Sequence, residues 1–410
     1  MYIRDLEAYE VLDSRGIPTV EVVLTTDDGQ FFASSPSGTS TGIYEFKDNR
    51  DNGDRVHGFG VKQACRKIRN TILPAIRNAQ VHQQRNIDTI LFNLDRTVDL
   101  SILGANSISA VSMAVCRAGA SYHGIEVHEY INLLLHRDRK TRIPQIAVNV
   151  VNGGAHTVHG LACQEIMVVP QFSSYHKNLD AATEIYLELE ELIERRFGPS
   201  ATNHGLEGGY TPVTNIESAI KCVYDCIVKL GYKGQVGIAL DMAASSFSHV
   251  YADGHVMYHC DGEKTVLELT KFYQRLIKKY PIISIEDPFH EEYLDDFNNL
   301  HELTGSHVVT DDATVTDPER LELAIQNHAG TACLIKINQA GTVTRALDCA
   351  RLAYDHRWHV IVSHRSGETD DPFVAELAVG VGAHQAKFGA PSRERIVKYN
   401  HLTRLNKMLR

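Results

Sequence analysis

Two kinds of hydrophobic spacing follow one another along the chain. Over Thr19–Thr26 (TVEVVLTT) and Gln30–Ser34 the pattern predicts strands, with Asp27-Asp28-Gly29 as the turn between them. The period then lengthens. Val61–Ile76, Val81–Leu94 and Ser107–Ala120 carry apolar residues three and four apart, which predicts helices. The last is rich in Ala and preceded by Gly104. Strands and helices in separate blocks predict a small α+β domain.

After the polar, basic stretch His136–Arg142, closed by Pro144 and read as a linker, short continuous apolar runs appear. They are IAVNVV, EIMVVP, VGIALD, PIISIE, HVVTD, CLIKI, HVIVSH and HQAKF, with helical segments between them. Alternation of this kind predicts a parallel sheet, and eight runs predict a closed β/α barrel. The expected organisation is an α/β chain with an N-terminal α+β domain over residues 1–138 and a TIM-like barrel over residues 139–410. Pro199–Asn215, rich in Gly and Asn, falls in a long gap between the second and third runs and reads as a functional loop.

Composition narrows the function. With 410 residues and 43% hydrophobic content the chain can bury a large core. No apolar run approaches the roughly 18 residues that span a bilayer, and the start MYIRDLEAYE has no signal-peptide core. A formal charge of -10 with no basic run argues against nucleic acid as a partner. Eight scattered Cys without a CxxC pair predict reduced thiols and a cytoplasmic location.

The chemistry lies at the ends of the apolar runs. VGIALD ends in Asp241, PIISIE in Glu286 followed by Asp287, and HVVTD in Asp311 followed by Asp312. The later runs bring Lys336, His364 and Lys387 to corresponding positions. In a parallel barrel these ends share one rim. Three converging carboxylates repel one another unless a cation sits among them. Oxygen donors without His or Cys select a hard ion, and Mg²⁺ is the expected one. A lysine facing that ion has its ammonium form disfavoured, so its pKa is expected to fall and suit it to general-base work. Such a site would abstract a proton α to a carboxylate and stabilise the enediolate.

Other segments suit an anionic substrate. Ser363-His364-Arg365-Ser366-Gly367 joins a guanidinium to hydroxyls and backbone N–H groups, an arrangement suited to phosphate. Ser37-Gly38-Thr39-Ser40-Thr41-Gly42 reads as a flexible turn or a mobile lid, and the glycine-rich stretches around His156 and Glu207 are also lid-like. Glu165, in the second run, could pair with Glu207, two close carboxylates sharing one proton.

The motifs DSRGIPTVEV, PSGTSTGIYE, LGANSISAVSMAVCRAGA, NGGAH, QEIMVVP, SIEDPF, DDATVT, KINQAGTV, SHRSGETDD and KFGAPSRERIVKYN together closely resemble the enolase family, over about residues 3 to 404. The resemblance implies dehydration of 2-phosphoglycerate to phosphoenolpyruvate. It assigns Asp241, Glu286 and Asp311 to the first Mg²⁺ and Ser37 to a second Mg²⁺ that arrives with substrate. Lys336 matches the base at C2, and Lys387 the lysine beside the substrate carboxylate. Glu207 matches the acid at the 3-hydroxyl, with Glu165 as its partner. His156 matches the lid histidine, His364 the adjoining rim histidine, and Arg365 with Ser366 the phosphate site. A homodimer or higher homo-oligomer is also implied.

Some positions depart from the family pattern. Leu206 stands where an acidic residue usually precedes the Glu-Gly-Gly glutamate. The second lid reads Ala155-His156-Thr157-Val158-His159, Thr39 replaces a usual Ala, and Ser246 a usual Glu. The metal and base positions are retained, whereas those handling C3 and closure differ. Two alternatives therefore stand beside the hydratase. One is a paralogue acting on a phosphorylated or phosphonylated carboxylate in phosphonate or phosphinate biosynthesis, such as a carboxyphosphonoenolpyruvate synthase. The other is a non-catalytic binding protein.

Overall fold

The computed structural model describes residues 1–38, 42–136, 141–157 and 161–409. The lid positions Thr39, Ser40, Thr41, Val158 and His159 lie outside them, as do residues 137–140 with the expected boundary at 138/139. The first region folds as an antiparallel sheet of β1 (Ile3–Leu12), β2 (Pro18–Thr26) and β3 (Gln30–Ser34), in that order. β1 had no counterpart in the sequence pattern. It is an edge strand that pairs only with β2, and much of its length stays exposed, so charged residues interrupt the apolar alternation.

Helices Gln84–Asp95 and Ala105–His123 fall where the spacing predicts, and Val127–Leu135 adds another. The segment predicted as one helix over Val61–Ile76 contains a π turn at Ile68–Ile72. Ala105–His123 is buried around almost its whole circumference, which its small Ala and Ser side chains permit. Paired charges tie this region to the rest of the chain. Arg117 meets Asp371 at 2.5 Å, and Arg85 meets Asp348 at 2.7 Å.

All eight predicted runs form barrel strands. They begin with β4 (Gln145–Asn152), β5 (Glu165–Pro170) and β6 (Val236–Asp241). A small meander follows, β7 (Ser248–Val250), β8 (Val256–His259) and β9 (Glu263–Thr265). The barrel resumes with β10 (Ile282–Glu286), β11 (His307–Thr310), β12 (Ala332–Ile335), β13 (His359–Ser363) and β14 (Gln385–Lys387). The ring closes in the order β10-β11-β12-β13-β14-β4-β5-β6.

One expectation is corrected here. The barrel is not all parallel, because β5 runs antiparallel to both β4 and β6. Only residues 153–164 separate β4 from β5, at the lower limit for a helical crossover, and the chain reverses instead. The reversal has a chemical result. Glu165 opens its strand, yet it pairs in register with Asp241, which closes β6, and so reaches the same rim.

Side-chain alternation supplies the rest of the positioning. Ala147, Met167, Val169 and Ala239 form one small buried cluster and Val309, Ala332, Leu334 and Ile361 another, apart from the main core. These clusters fill the barrel as its inner layers. Two residues along the same strands come Glu165, Asp241, Asp311 and Lys336, which therefore face inward above that plug. Among the described residues no helix is long and apolar enough to cross a membrane.

Candidate active site

The rim encloses a tight cavity of about 20 Å³. Asp241, Asp311, Glu165, Glu207, Lys336 and Lys387 line it, together with His156, His364, Arg365 and Ser366. Glu286 stands behind the lining. The Lys387 ammonium donates to Asp241 Oδ2 at 2.8 Å and to both Glu286 oxygens at 2.9 Å, and lies 3.3 Å from Glu165. Lys336 donates to Asp311 Oδ2. Glu286, Asp287 and Asp311 also form a group whose oxygens lie within 4.8 Å of one another. Asp287 spends both oxygens on backbone N–H groups, of Asp311 at 3.1 Å and Asp312 at 2.8 Å. That fixes the turn after β11 and separates its role from that of Asp311.

The expected low lysine pKa belongs to a lysine that faces a metal ion; here carboxylates face both lysines. Burial disfavours both ammonium groups, but the carboxylates outweigh it: Asp311 holds Lys336 up, and Asp241 with Glu165 and Glu286 holds Lys387 well up. Carboxylates remain in excess even so, and burial with mutual repulsion pushes Glu286, Asp287 and Asp312 well above the usual range. Asp241 Oδ1 and Gln164 Oε1 are buried without a hydrogen-bond partner among the described residues. An oxygen-rich pocket with surplus negative charge and unsatisfied oxygens fits a hard divalent cation.

The other side of the cavity is a histidine–carboxylate group. His156, Glu165 and Glu207 each bring an atom within 4.8 Å of the others. Glu207 sits in the predicted functional loop, anchored by a bridge between Val151 and Tyr210. Its Oε2 accepts from Asn149 Nδ2 at 3.2 Å and pairs with His364 Nε2 at 3.1 Å. Burial and the neighbouring Glu207 push the Glu165 carboxyl well up, whereas the flanking His364 and His156 overcome burial and hold Glu207 well down. The opposite directions make Glu165 the carboxyl of the pair that favours a proton. Burial lowers His364 to about 4, which leaves its ring neutral.

Arg365 is buried and paired with Glu45, at 2.9 Å to Oε2. Gly38 lies against it, and a Cβ there would sit 1.8 Å from Arg365 Nη2, so a larger residue would have to displace the buried guanidinium. Ser37 stands apart from the carboxylates. Its hydroxyl accepts from Arg15 at 2.7 Å and donates to Asp13 at 3.2 Å. Glu45, Gln164, Arg15 and Asp13 were not expected at the site from sequence. All four lie within the family-like motifs, but no charge pattern marks them.

Three of the positions that depart from the family pattern gather elsewhere. Ala155, Thr157 and Leu206 line a second, outer cavity of about 650 Å³, which meets the inner one at His156. The Leu206 N–H donates to His156 O at 3.1 Å, so its backbone braces the lid histidine while its side chain faces outward.

Comparison with known proteins agrees with this geometry. The family model described as "Enolase, N-terminal domain" matches residues 3–131, and "Enolase, C-terminal TIM barrel domain" matches residues 140–410. An enolase from Methanopyrus kandleri is 43% identical over 416 residues, covering 99% of this chain and 96% of that protein.

Proposed function

Because the chain belongs to the enolase family and is an enzyme of its hydro-lyase type, we propose that it dehydrates 2-phosphoglycerate to phosphoenolpyruvate with Mg²⁺. The observation that carries this reading is the donor set: Asp241, Glu286 and Asp311 on three adjacent strands, facing Lys336 and Lys387. Asp241, Glu286 and Asp311 would hold one ion. A second would arrive with substrate and draw on Ser37, whose present bonds to Arg15 and Asp13 would be exchanged. Bound Mg²⁺ supplies Lewis-acid stabilisation of the charge that builds on the substrate carboxylate.

The remaining steps belong to the protein. Arg365 and Ser366 hold the phosphate, and Lys387 holds the carboxylate. Lys336, once parted from the Asp311 carboxylate that holds its ammonium up, gives a proton to solvent and as the free amine takes the C2 proton. Glu207, flanked by His156 and His364, would receive the proton that Glu165 favours and pass it to the departing 3-hydroxyl. In the ring order β12, which ends beside Lys336, and β5, which begins with Glu165, stand four places apart, on opposite sides of the barrel. Base and acid then act from opposite faces of the substrate.

The division into residues 1–138 and 139–410 is part of this proposal, supported by family matches that end at 131 and resume at 140. A homo-oligomer in the cytoplasm is the accompanying expectation. The match to an enolase favours dehydration over the phosphonate-type reaction, and the altered positions Ala155, Thr157 and Leu206 leave the donor set untouched. The test is phosphoenolpyruvate formation from 2-phosphoglycerate, followed by enol absorbance with Mg²⁺ and with EDTA. Turnover near ~10 per second, abolished by EDTA, is expected. No turnover with metal, or turnover that EDTA leaves intact, contradicts the proposal.

A further inference from the structure

The outer cavity is electrically unlike the rest of the molecule. The chain carries a formal charge of -10, yet among the described residues lining this cavity none is a carboxylate. Arg393 supplies the one permanent charge there. Glu190 is close enough for His204 to feel its charge but does not line the cavity.

Arg393 is also held in place. Its backbone takes a left-handed conformation, φ 51°, unusual for a side chain of this size, and the guanidinium stays exposed. Arg393 Nη2 lies 3.2 Å from His204 Nδ1. A guanidinium only donates, so Nδ1 accepts and the ring proton of neutral His204 sits on Nε2. That N–H faces Tyr186 Oη at 3.0 Å, and the Tyr186 hydroxyl donates to Gly208 O at 2.7 Å. Donation therefore runs one way, from Arg393 through His204 and Tyr186 to the residue after Glu207. Burial and the Arg393 charge lower the His204 pKa, which favours the neutral ring.

We propose that the outer cavity is the vestibule through which the anionic substrate reaches the catalytic cavity, and that Arg393 is the positioning cation that draws it in. The inference rests on the hydratase reading, which makes the substrate a phosphorylated carboxylate. A polyanion approaching an acidic protein meets repulsion over most of the surface, and one fixed cation in a cavity without carboxylates sets a favourable path. His156, shared by both cavities, marks the passage.

The test uses the full chain with 2-phosphoglycerate and Mg²⁺, comparing the native protein with Arg393→Ala, Arg393→Lys and, as a control of equal charge change, Arg77→Ala on the N-terminal region. At about 0.01 M ionic strength, where charges act over roughly 30 Å, Arg393→Ala should lower kcat/KM about five-fold with kcat unchanged. At about 1 M the deficit should shrink below about two-fold. Arg393→Lys should restore native behaviour, and Arg77→Ala should not differ from native. A native protein that turns over while Arg393→Ala matches it at low salt overturns the guidance role alone. So does a deficit confined to kcat or insensitive to salt. A native protein without turnover overturns the hydratase reading and the guidance role with it.

Discussion

The two halves of the rim are built differently. Asp241, Glu286, Asp311, Lys336 and Lys387 sit at or just beyond strand ends, and each takes its direction from the alternation of a buried strand. Glu207, His156, Arg365 and Ser366 sit in connecting segments, and they are aimed by hydrogen bonds from elsewhere. His364 and Asn149 hold Glu207, Glu45 holds Arg365, and Arg395 donates to the carbonyls of Arg365, Ser366 and Leu206. The strand-borne half retains the family pattern at every position assigned to it. Of the described departures, Ala155, Thr157 and Leu206 lie beside the loop-borne half, and Ser246 follows the strand that ends in Asp241. Loops can change where strands cannot, because an outward-facing loop side chain disturbs no inner layer of the barrel.

The sharpest way to break this comparison is to remove the proposed base. Lys336→Ala should lower turnover of 2-phosphoglycerate by at least about 10³-fold while Mg²⁺ binding persists, as measured by calorimetry. Turnover within ten-fold of native would remove Lys336 from the mechanism.

A smaller effect concerns the histidine of the acid half. The folded His364 pKa is about 4, below the ordinary value of 6.5, because the ring is buried. The unfolded chain therefore binds a proton between those values that the folded chain refuses, so this contribution to stability falls as pH drops from 6.5 towards 4. The loss should be on the order of 3 kcal/mol by pH 4. Denaturant unfolding should show the native chain losing that stability relative to His364→Gln over the same range. Parallel pH profiles for the two would contradict the assignment.

The smallest effect should come from Leu206. Its side chain faces the outer cavity, so Leu206→Asp should leave kcat within about three-fold of native. It should also lower kcat/KM at low salt, because it places a carboxylate in the proposed vestibule. A large fall in kcat would show that the loop-borne half is less tolerant than its outward-facing side chains imply.

The strand-borne half was legible in the sequence because a continuous apolar run ending in a charged residue is the mark of a buried strand that surfaces at a rim. All eight barrel strands fell where those runs lie. Three features were hidden for physical reasons. The reversal of β5 depends on the length of a connection, and the apolar run EIMVVP reads the same in either direction. The pairing of Arg365 with Glu45 joins residues 320 positions apart in sequence, so no local pattern signals it. β1 was missed because an edge strand buries too little to show a clean alternation.

The central claim is that the two halves perform separable steps: Lys336 takes the C2 proton, and the Glu165–Glu207 pair removes the 3-hydroxyl. The most direct test follows exchange of the 2-phosphoglycerate C2 proton with deuterated solvent by NMR, in Lys336→Ala and in Glu207→Gln, both with Mg²⁺. The account predicts that Glu207→Gln still exchanges the C2 proton while forming little phosphoenolpyruvate, and that Lys336→Ala does neither. Exchange surviving in Lys336→Ala, or disappearing from a folded, metal-binding Glu207→Gln, would contradict it.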